Sequence, residues 1–119
     1  MTFDTFAWVE YFLGTEKGRK VKKVVDSAET IFTPSLCLLE LKAKYLRERA
    51  EYQTKVQFMK ERSQTVPLTD ELALLAADMK IRKGLHASDA IIYATAMSKR
   101  TKLFTGDPHF FRLEDVELL

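Results

Sequence analysis

Apolar and polar residues follow one another along the chain in blocks that predict helices separated by very short strands. The first apolar block, residues 6–13, predicts a buried helix that ends at Gly14, and a basic helix follows from about Glu16 to Ser27. Thr30 to Thr33 predicts a strand, and Pro34 suits the first position of the next helix. That helix repeats apolar residues at helical spacing, which we expect to face the core: Leu36, Leu39, Ala43 and Leu46.

A charged amphipathic stretch from Glu51 to Arg62 predicts a fourth helix, and residues 64–68 predict a brief extended segment. The clearest helix follows Thr69, whose hydroxyl suits an N-cap, and ends at Gly84. Its apolar positions recur at the spacing of a helix: Leu72, Leu75, Ala76 and Met79.

The last part of the chain predicts one more helix and two strands. Ser88 can cap a helix through residues 90–97, which is apolar on most sides and therefore central. Residues 102–105 and 116–119 predict strands, and Gly106-Asp107-Pro108 predicts a turn. Short strands that alternate with helices predict an α/β fold, with a parallel sheet covered by helices on both faces, in a single domain over residues 1–119.

Composition narrows the class of protein further. The 119 residues carry a formal charge of +2, and 46% are hydrophobic, as in one ordinary globular domain. The lone Cys37 cannot form an internal disulfide, so we expect a reduced, cytoplasmic setting. No apolar run is long enough to span a membrane, and no glycine-rich loop could hold a phosphate group. His86 and His109 lack the spacing of a usual zinc site.

Four acids occupy positions where parallel strands end and helices begin, which is the edge at which open α/β sheets bind ligands. They are Asp4, Glu40, Asp89 and Asp107. Three have simpler explanations: Asp4 as an N-cap, Asp89 as a favourable charge at a helix N-terminus, and Asp107 as part of a turn before Pro108.

Glu40 has no such explanation, because it lies beside apolar positions where an unpaired carboxylate is costly. Four carboxylates at one edge repel one another unless a cation lies among them. An all-oxygen site selects hard cations such as Mg²⁺ or Mn²⁺. Two such ions about 3.5–4 Å apart can support hydrolysis of a phosphodiester bond.

The residues around these acids resemble those of the PIN-domain nucleases, and of VapC toxins in particular. The stretches that carry the resemblance are Phe3-Asp4-Thr5, SLCLLE at 35–40, HASDAIIYATA at 86–96 and LFTGDPHF at 103–110. It implies a PIN-like three-layer αβα sandwich and a metal-dependent endoribonuclease. It also implies that the four acids are its catalytic, metal-binding quartet, with one or two Mg²⁺ or Mn²⁺ ions. Thr5 and Thr105 would support that site.

The resemblance also implies partners, namely an RNA substrate, a cognate VapB-type antitoxin and a second copy in a homodimer. The predicted helix from Glu51 to Arg62, with Tyr45, Tyr52 and Phe58 nearby, could be the surface for one of the protein partners or could pack in the ordinary way. Two features depart from the family pattern: the very short segment before Asp4, and Phe6 where a small polar residue is common.

Charge gives modest support for a polyanionic substrate. With the four acids neutralised, 19 basic residues face 13 acidic ones, a net charge of +6. Two helices carry the basic runs, which could contact RNA phosphates or could be ordinary solvated faces: Lys17, Arg19, Lys20, Lys22 and Lys23 on one, and Lys42, Lys44, Arg47 and Arg49 on the other. Trp8 and Tyr93 are predicted to be core residues.

Three other functions compete with the ribonuclease. A catalytically silent PIN fold that binds RNA or protein is the main alternative, and retention of all four acids argues against it. A haloacid-dehalogenase-like phosphatase needs Asp-x-Asp after its first strand, whereas Asp4-Thr5-Phe6 supplies only the first acid. A response-regulator receiver needs paired early acids and a phosphoacceptor after a middle strand, which this sequence lacks.

Overall fold

The computed structural model describes residues 1–119 and contains one five-stranded parallel sheet joined by six helices. The strands are β1 Thr2–Phe3, β2 Phe32–Pro34, β3 Gln64–Val66, β4 Leu103–Thr105 and β5 Val116–Leu118. The helices are α1 Thr5–Leu13, α2 Glu16–Val25, α3 Ser35–Arg47, α4 Gln53–Arg62, α5 Asp70–Lys83 and α6 Ala87–Ser98, with a 3₁₀ turn at Pro108–Phe110. The predicted α/β fold with a parallel sheet is confirmed.

Strand order places the earliest strand in the middle of the sheet. The order is β3-β2-β1-β4-β5, and every pairing is parallel. The chain moves outward from β1 to β3 on one side, then crosses back to β4 and continues to β5 on the other. Right-handed crossovers put the helices of these two halves on opposite faces of the sheet. The direction of winding reverses between β1 and β4, which is where open α/β sheets form a ligand crevice.

The core is built around Trp8 of α1, which is fully buried. Its ring meets Phe3 of β1 edge-on at 5.1 Å between centroids, and its Nε1 donates a hydrogen bond to Thr33 Oγ1 at 3.0 Å. Phe58 of α4 packs against Trp8 and stacks on Tyr11. The prediction that Trp8 is a core residue is confirmed.

The aromatic residues near α4, which could have formed a surface for a protein partner, pack against the core of the same chain. Tyr45 is 7% exposed, Tyr52 and Phe58 are half-buried against the core, and Lys42 lies 4.7 Å from the Tyr52 ring. Tyr93, the other predicted core aromatic, is buried and its hydroxyl donates to the Glu114 carbonyl at 3.0 Å. Ordinary helix packing therefore explains the aromatic residues near α4.

Several predicted helix ends are confirmed by their geometry. Asp4 caps α1, and Thr69 caps α5 by accepting from the Leu72 amide at 3.2 Å. Gly84 ends α5 with a left-handed φ of 66°, a conformation that glycine adopts without strain. Two boundaries were wrong. Pro34 is the last residue of β2 rather than the first of α3, and the N-cap position of α6 is held by His86, whose side chain makes no capping hydrogen bond, rather than by Ser88.

The predicted inner face of α3 was also wrong. Leu39 is 64% exposed and Leu46 is 56% exposed, and the buried residues are Cys37, Leu41 and Tyr45. Leucines occupy almost every side of this helix, so spacing alone could not select the buried face. Cys37 fixes it, because its thiol lies 3.9 Å from the carbonyl of Phe3 in the central strand.

Helices α1 and α2 pack at very short range through Gly18. A Cβ at this position would lie 2.0 Å from the carbonyl oxygen of Glu10, inside the backbone of α1. Such a distance excludes every side chain unless the helices separate. Gly18 is therefore required for their close packing.

Arg62, at the end of α4, connects that helix to the end of α2. Its guanidinium donates to the carbonyl oxygens of Val24, Val25, Ser27 and Glu29 at 2.8–3.2 Å. These acceptors lie at and beyond the C-terminus of α2, where helix carbonyls lack intrahelical partners. None of the six helices combines the length and hydropathy that a bilayer crossing requires.

Candidate functional site

Asp4 lies at the carboxyl end of the central strand, where the strand order reverses. It is 3% exposed. One carboxylate oxygen, Oδ1, accepts from the Ala7 amide at 2.8 Å as the N-cap of α1, and Oδ2 accepts from the Thr105 hydroxyl. The bonds from Ala7 and Thr105 fix the orientation of this carboxylate at the sheet edge.

Thr105 joins the first and last acids of the sequence set. It is the final residue of β4 and is fully buried. Its hydroxyl donates to Asp4 and accepts from the Asp107 amide at 2.9 Å. A strand residue without a hydroxyl could make neither bond.

Glu40 reaches the same edge from α3. Its Oε1 accepts from the Thr5 hydroxyl at 2.7 Å. Thr5 is the first residue of α1 and directly follows Asp4, so this bond brings the carboxylate of α3 beside the start of α1. Contacts of the predicted kind are therefore present at both threonines.

Asp89 and Asp107 lie close to each other and to His109. Asp107 caps the 3₁₀ turn by accepting from the His109 amide at 2.9 Å. The His109 Nδ1 lies 2.8 Å from Asp107 Oδ1 and 4.0 Å from Asp89 Oδ2. One potential ligand atom from each of these residues lies within 4.8 Å of the other two.

The acids influence one another electrostatically. The pKa of Asp4 is raised from 3.8 to about 7, chiefly by burial; the hydrogen bonds from Thr105 and Ala7 oppose this rise, and the charges of Asp107 and Glu40 add to it. Burial and the charge of Asp107 also raise the pKa of Asp89, against the opposing effect of His109 and His86. All four acids thus belong to one electrostatic cluster.

No lysine or arginine neutralises this cluster. The ion pairs of the protein that involve lysine lie on the outer faces of α2, α3 and α4, and the four acids are absent from them. Partly buried carboxylates that lie close together repel one another and favour a bound cation. Their oxygen donors suit a hard divalent ion. The residues present therefore fit a divalent metal.

The structure divides the predicted quartet into two linked parts. Asp89 and Asp107 share the compact group with His109, whereas Asp4 and Glu40 lie outside it and connect to it through threonine hydroxyls and charge. The simpler explanations also hold, since Asp4 does cap a helix and Asp107 does begin a turn. Their catalytic and metal-binding roles stay predictions.

Sequence reasoning missed His109. Its ring packs edge-on against that of His86, with centroids 5.8 Å apart. Both histidines were left out of the predicted site because their spacing is not that of a usual zinc site. The available signal was the Asp107-x-His109 pair within LFTGDPHF, which places a ring nitrogen two residues after an acid.

Comparison with known proteins supports the predicted fold. The structure is similar to a toxin-antitoxin complex from Klebsiella pneumoniae, with a TM-score of 0.80 and 20% identity, covering 98% of this chain and 94% of that one. It is also similar to the Mycobacterium tuberculosis VapC20, a Sarcin-Ricin loop cleaving toxin, with a TM-score of 0.76, 18% identity and coverage of 98% and 97%. A third similar structure is VapBC2 from Rickettsia felis bound to a DNA fragment from its promoter. Its TM-score is 0.72 and its sequence identity 18%, and the match covers 99% of this chain and 96% of that one.

Comparison of the sequence finds a family but no individual relative. No curated protein matches the chain. The family model described as PIN domain matches residues 1–116, nearly the full length. The predicted resemblance is therefore confirmed, and the chain belongs to the PIN-domain family.

Proposed function

We propose that this protein is a metal-dependent endoribonuclease that hydrolyses RNA phosphodiester bonds and serves as the toxin of a type II toxin-antitoxin pair. The observation that carries the proposal is the unneutralised cluster of Asp4, Glu40, Asp89 and Asp107 at the reversal of strand order. Structural similarity to proteins named as toxins supports it. Its place of action would be the cytoplasm, where RNA is available.

One or two Mg²⁺ or Mn²⁺ ions held by the four carboxylates would supply water activation and charge stabilisation at the phosphate. Other residues of the chain orient those carboxylates through hydrogen bonds. Thr105 and the Ala7 amide orient the Asp4 carboxylate, and Thr5 orients that of Glu40. These bonds limit the freedom of the acids before any substrate arrives, which is the requirement of a preorganised site.

The surroundings of the site suit a polymer. None of the four acids lines a surface cavity, and Glu40, Asp89 and Asp107 are only partly buried, so a long substrate can reach them. On α2, four exposed basic residues form no ion pair and are available for phosphates: Lys17, Arg19, Lys20 and Lys23. Lys22 and Lys44 are engaged with Asp26 and Glu48.

We also propose a VapB-type antitoxin and a second copy of the chain as partners. Support for the antitoxin comes from the structural relatives, which are named as toxin-antitoxin and VapBC complexes. An antitoxin that inhibits by occupying the acidic edge needs a basic group, because no lysine or arginine of this chain pairs with the four acids. Size-exclusion chromatography with light scattering, with and without the neighbouring gene product, tests both partners.

The decisive experiment is cleavage of end-labelled structured and single-stranded RNAs in Mg²⁺, Mn²⁺ and EDTA. We expect cutting only with metal, and its loss in Asp89→Asn. Asp78→Asn, at an exposed acid of α5, is the matched control and should cut like the wild type. Binding of RNA without cutting in any metal would instead support the catalytically silent module.

A further inference from the structure

His109 introduces a nitrogen donor into a site that the sequence predicted to be all oxygen. Its Nδ1 is 2.8 Å from Asp107 Oδ1 and 4.0 Å from Asp89 Oδ2. The side chain is 62% exposed, so core packing does not hold it there. Its position follows from the turn that Asp107 caps, which aims the ring back at the two acids.

The separations of these donors suit a shared ion. An octahedral ion with ligands at about 2.1 Å requires neighbouring donors about 3.0 Å apart and opposite donors about 4.2 Å apart. The two distances from Nδ1, 2.8 Å to Asp107 and 4.0 Å to Asp89, lie close to those two values. Two of the three separations among Asp89, Asp107 and His109 therefore suit one shared cation, and the third is no more than 4.8 Å.

We infer that His109 is a nitrogen ligand of the metal centre and makes it prefer Mn²⁺ to Mg²⁺. Mg²⁺ is bound almost entirely by oxygen, whereas imidazole is a good ligand for transition ions. The inference deepens the proposed ribonuclease and rests on it, because it assigns the ion that the same site uses. His86 is the natural comparison, since its exposed ring touches His109 but is not part of the ligand group.

Metal binding by the full-length protein tests the inference without an activity assay. Mn²⁺ affinity is measured by electron paramagnetic resonance of the free ion, and Mg²⁺ affinity by competition. We expect His109→Ala to lose about 10- to 100-fold in Mn²⁺ affinity, as for loss of metal-site support in other proteins. Its Mg²⁺ affinity should change less than about threefold, because the oxygen donors remain. His86→Ala should keep both affinities.

A second measurement separates a ligand from a positioning residue. His109 could instead donate its Nδ1 proton to Asp107 and only orient that carboxylate, in which case His109→Ala would weaken both metals equally. With Co²⁺ in place of Mn²⁺, a directly bound imidazole gives a strongly shifted ring N–H proton signal. The protein has only two histidines, so His86→Ala should keep this signal and His109→Ala should lose it.

The outcomes also distinguish this inference from the proposed function. Metal-dependent RNA cutting with an unchanged Mn²⁺ to Mg²⁺ affinity ratio in His109→Ala would overturn the inference and leave the ribonuclease intact. A selective loss of Mn²⁺ affinity without RNA cutting by the wild type would support the ligand and count against the nuclease. Equal losses for both ions, absence of the shifted signal, or no metal binding by the wild type would each overturn it.

Discussion

Burial of Asp4 should make the metal-free protein less stable as the pH rises. The pKa of this carboxyl is raised from 3.8 to about 7. Between those values the folded protein keeps a proton that the unfolded chain has released. The folded state therefore binds more protons, and the free energy of unfolding falls with increasing pH until Asp4 is ionised in both states.

The size of this effect follows from the two pKa values. Each pKa unit corresponds to about 1.4 kcal/mol, so the complete change is about 4 kcal/mol, of which about 3 kcal/mol falls between pH 5 and pH 8. Glu51, whose pKa is lowered to about 2, acts in the opposite direction. Its contribution is lost only as the pH falls below about 4.5, outside the chosen window.

Urea denaturation in EDTA at several pH values between 5 and 8 measures the effect. Asp4→Asn cannot ionise and keeps an oxygen for the Ala7 amide, so its stability should vary about 3 kcal/mol less with pH than that of the wild type. It should also exceed the wild type in stability at pH 8 while failing to cut RNA. Asp78→Asn, at an exposed position, controls for the general effect of removing an acid.

Two results would refute this reasoning. One is a wild-type stability that stays constant or rises between pH 5 and pH 8 in EDTA. The other is the same pH dependence in Asp4→Asn as in the wild type, which would assign the effect to other groups. Saturating Mn²⁺ should reduce the wild-type dependence, because an ion bound only by the folded state compensates the carboxylate charge.

Substitutions at Gly18, Thr105 and Arg62 test three other contacts, with Gly84→Ala and Thr105→Ser as comparison variants. Gly18→Ala should destabilise the protein by about 1–3 kcal/mol in urea denaturation despite the better helix propensity of alanine, because its Cβ would meet the backbone of α1. Gly84→Ala has open space and should cost only about 1 kcal/mol through its positive φ; a reversed order would contradict the packing argument. Thr105→Val should reduce RNA cutting about 10- to 100-fold, in the range for lost support of metal ligands, and Thr105→Ser should retain it. Arg62→Ala should lower the free energy of unfolding by about 2–4 kcal/mol, because hydrogen bonds from a charged donor contribute about 1.5–3 kcal/mol each and several carbonyls lose theirs. Metal affinity of folded Arg62→Ala should not change.

The order of elements could be predicted because local signals agree with the final fold. Thr69 and Gly84 mark the two ends of α5 through capping chemistry that depends only on neighbouring residues. The buried face of α3 could not be predicted, since its leucines surround the helix and the choice depends on Cys37 reaching β1. Pro34 was misassigned because its fixed φ suits a strand end as well as a helix start.

The candidate site, too, could be predicted from the sequence only in part. Asp4 and Asp107 could be placed from sequence because each follows a strand, and the carboxyl ends of parallel strands share one edge. The approach of His109 to Asp89 depends on how a turn after β4 lies against the start of α6. Asp89 and His109 lie 20 positions apart in the sequence, and no local pattern predicts their contact.

The bond between Asp4 and Thr105 spans 101 residues of sequence. During translation, the first acid leaves the ribosome long before the strand that holds its orienting hydroxyl has been made. A nascent chain can form its early helices, but it has neither β4 nor the turn that carries Asp107 and His109. The assembled site therefore arises only late in synthesis, and fragments that end before β4 lack Thr105, Asp107 and His109.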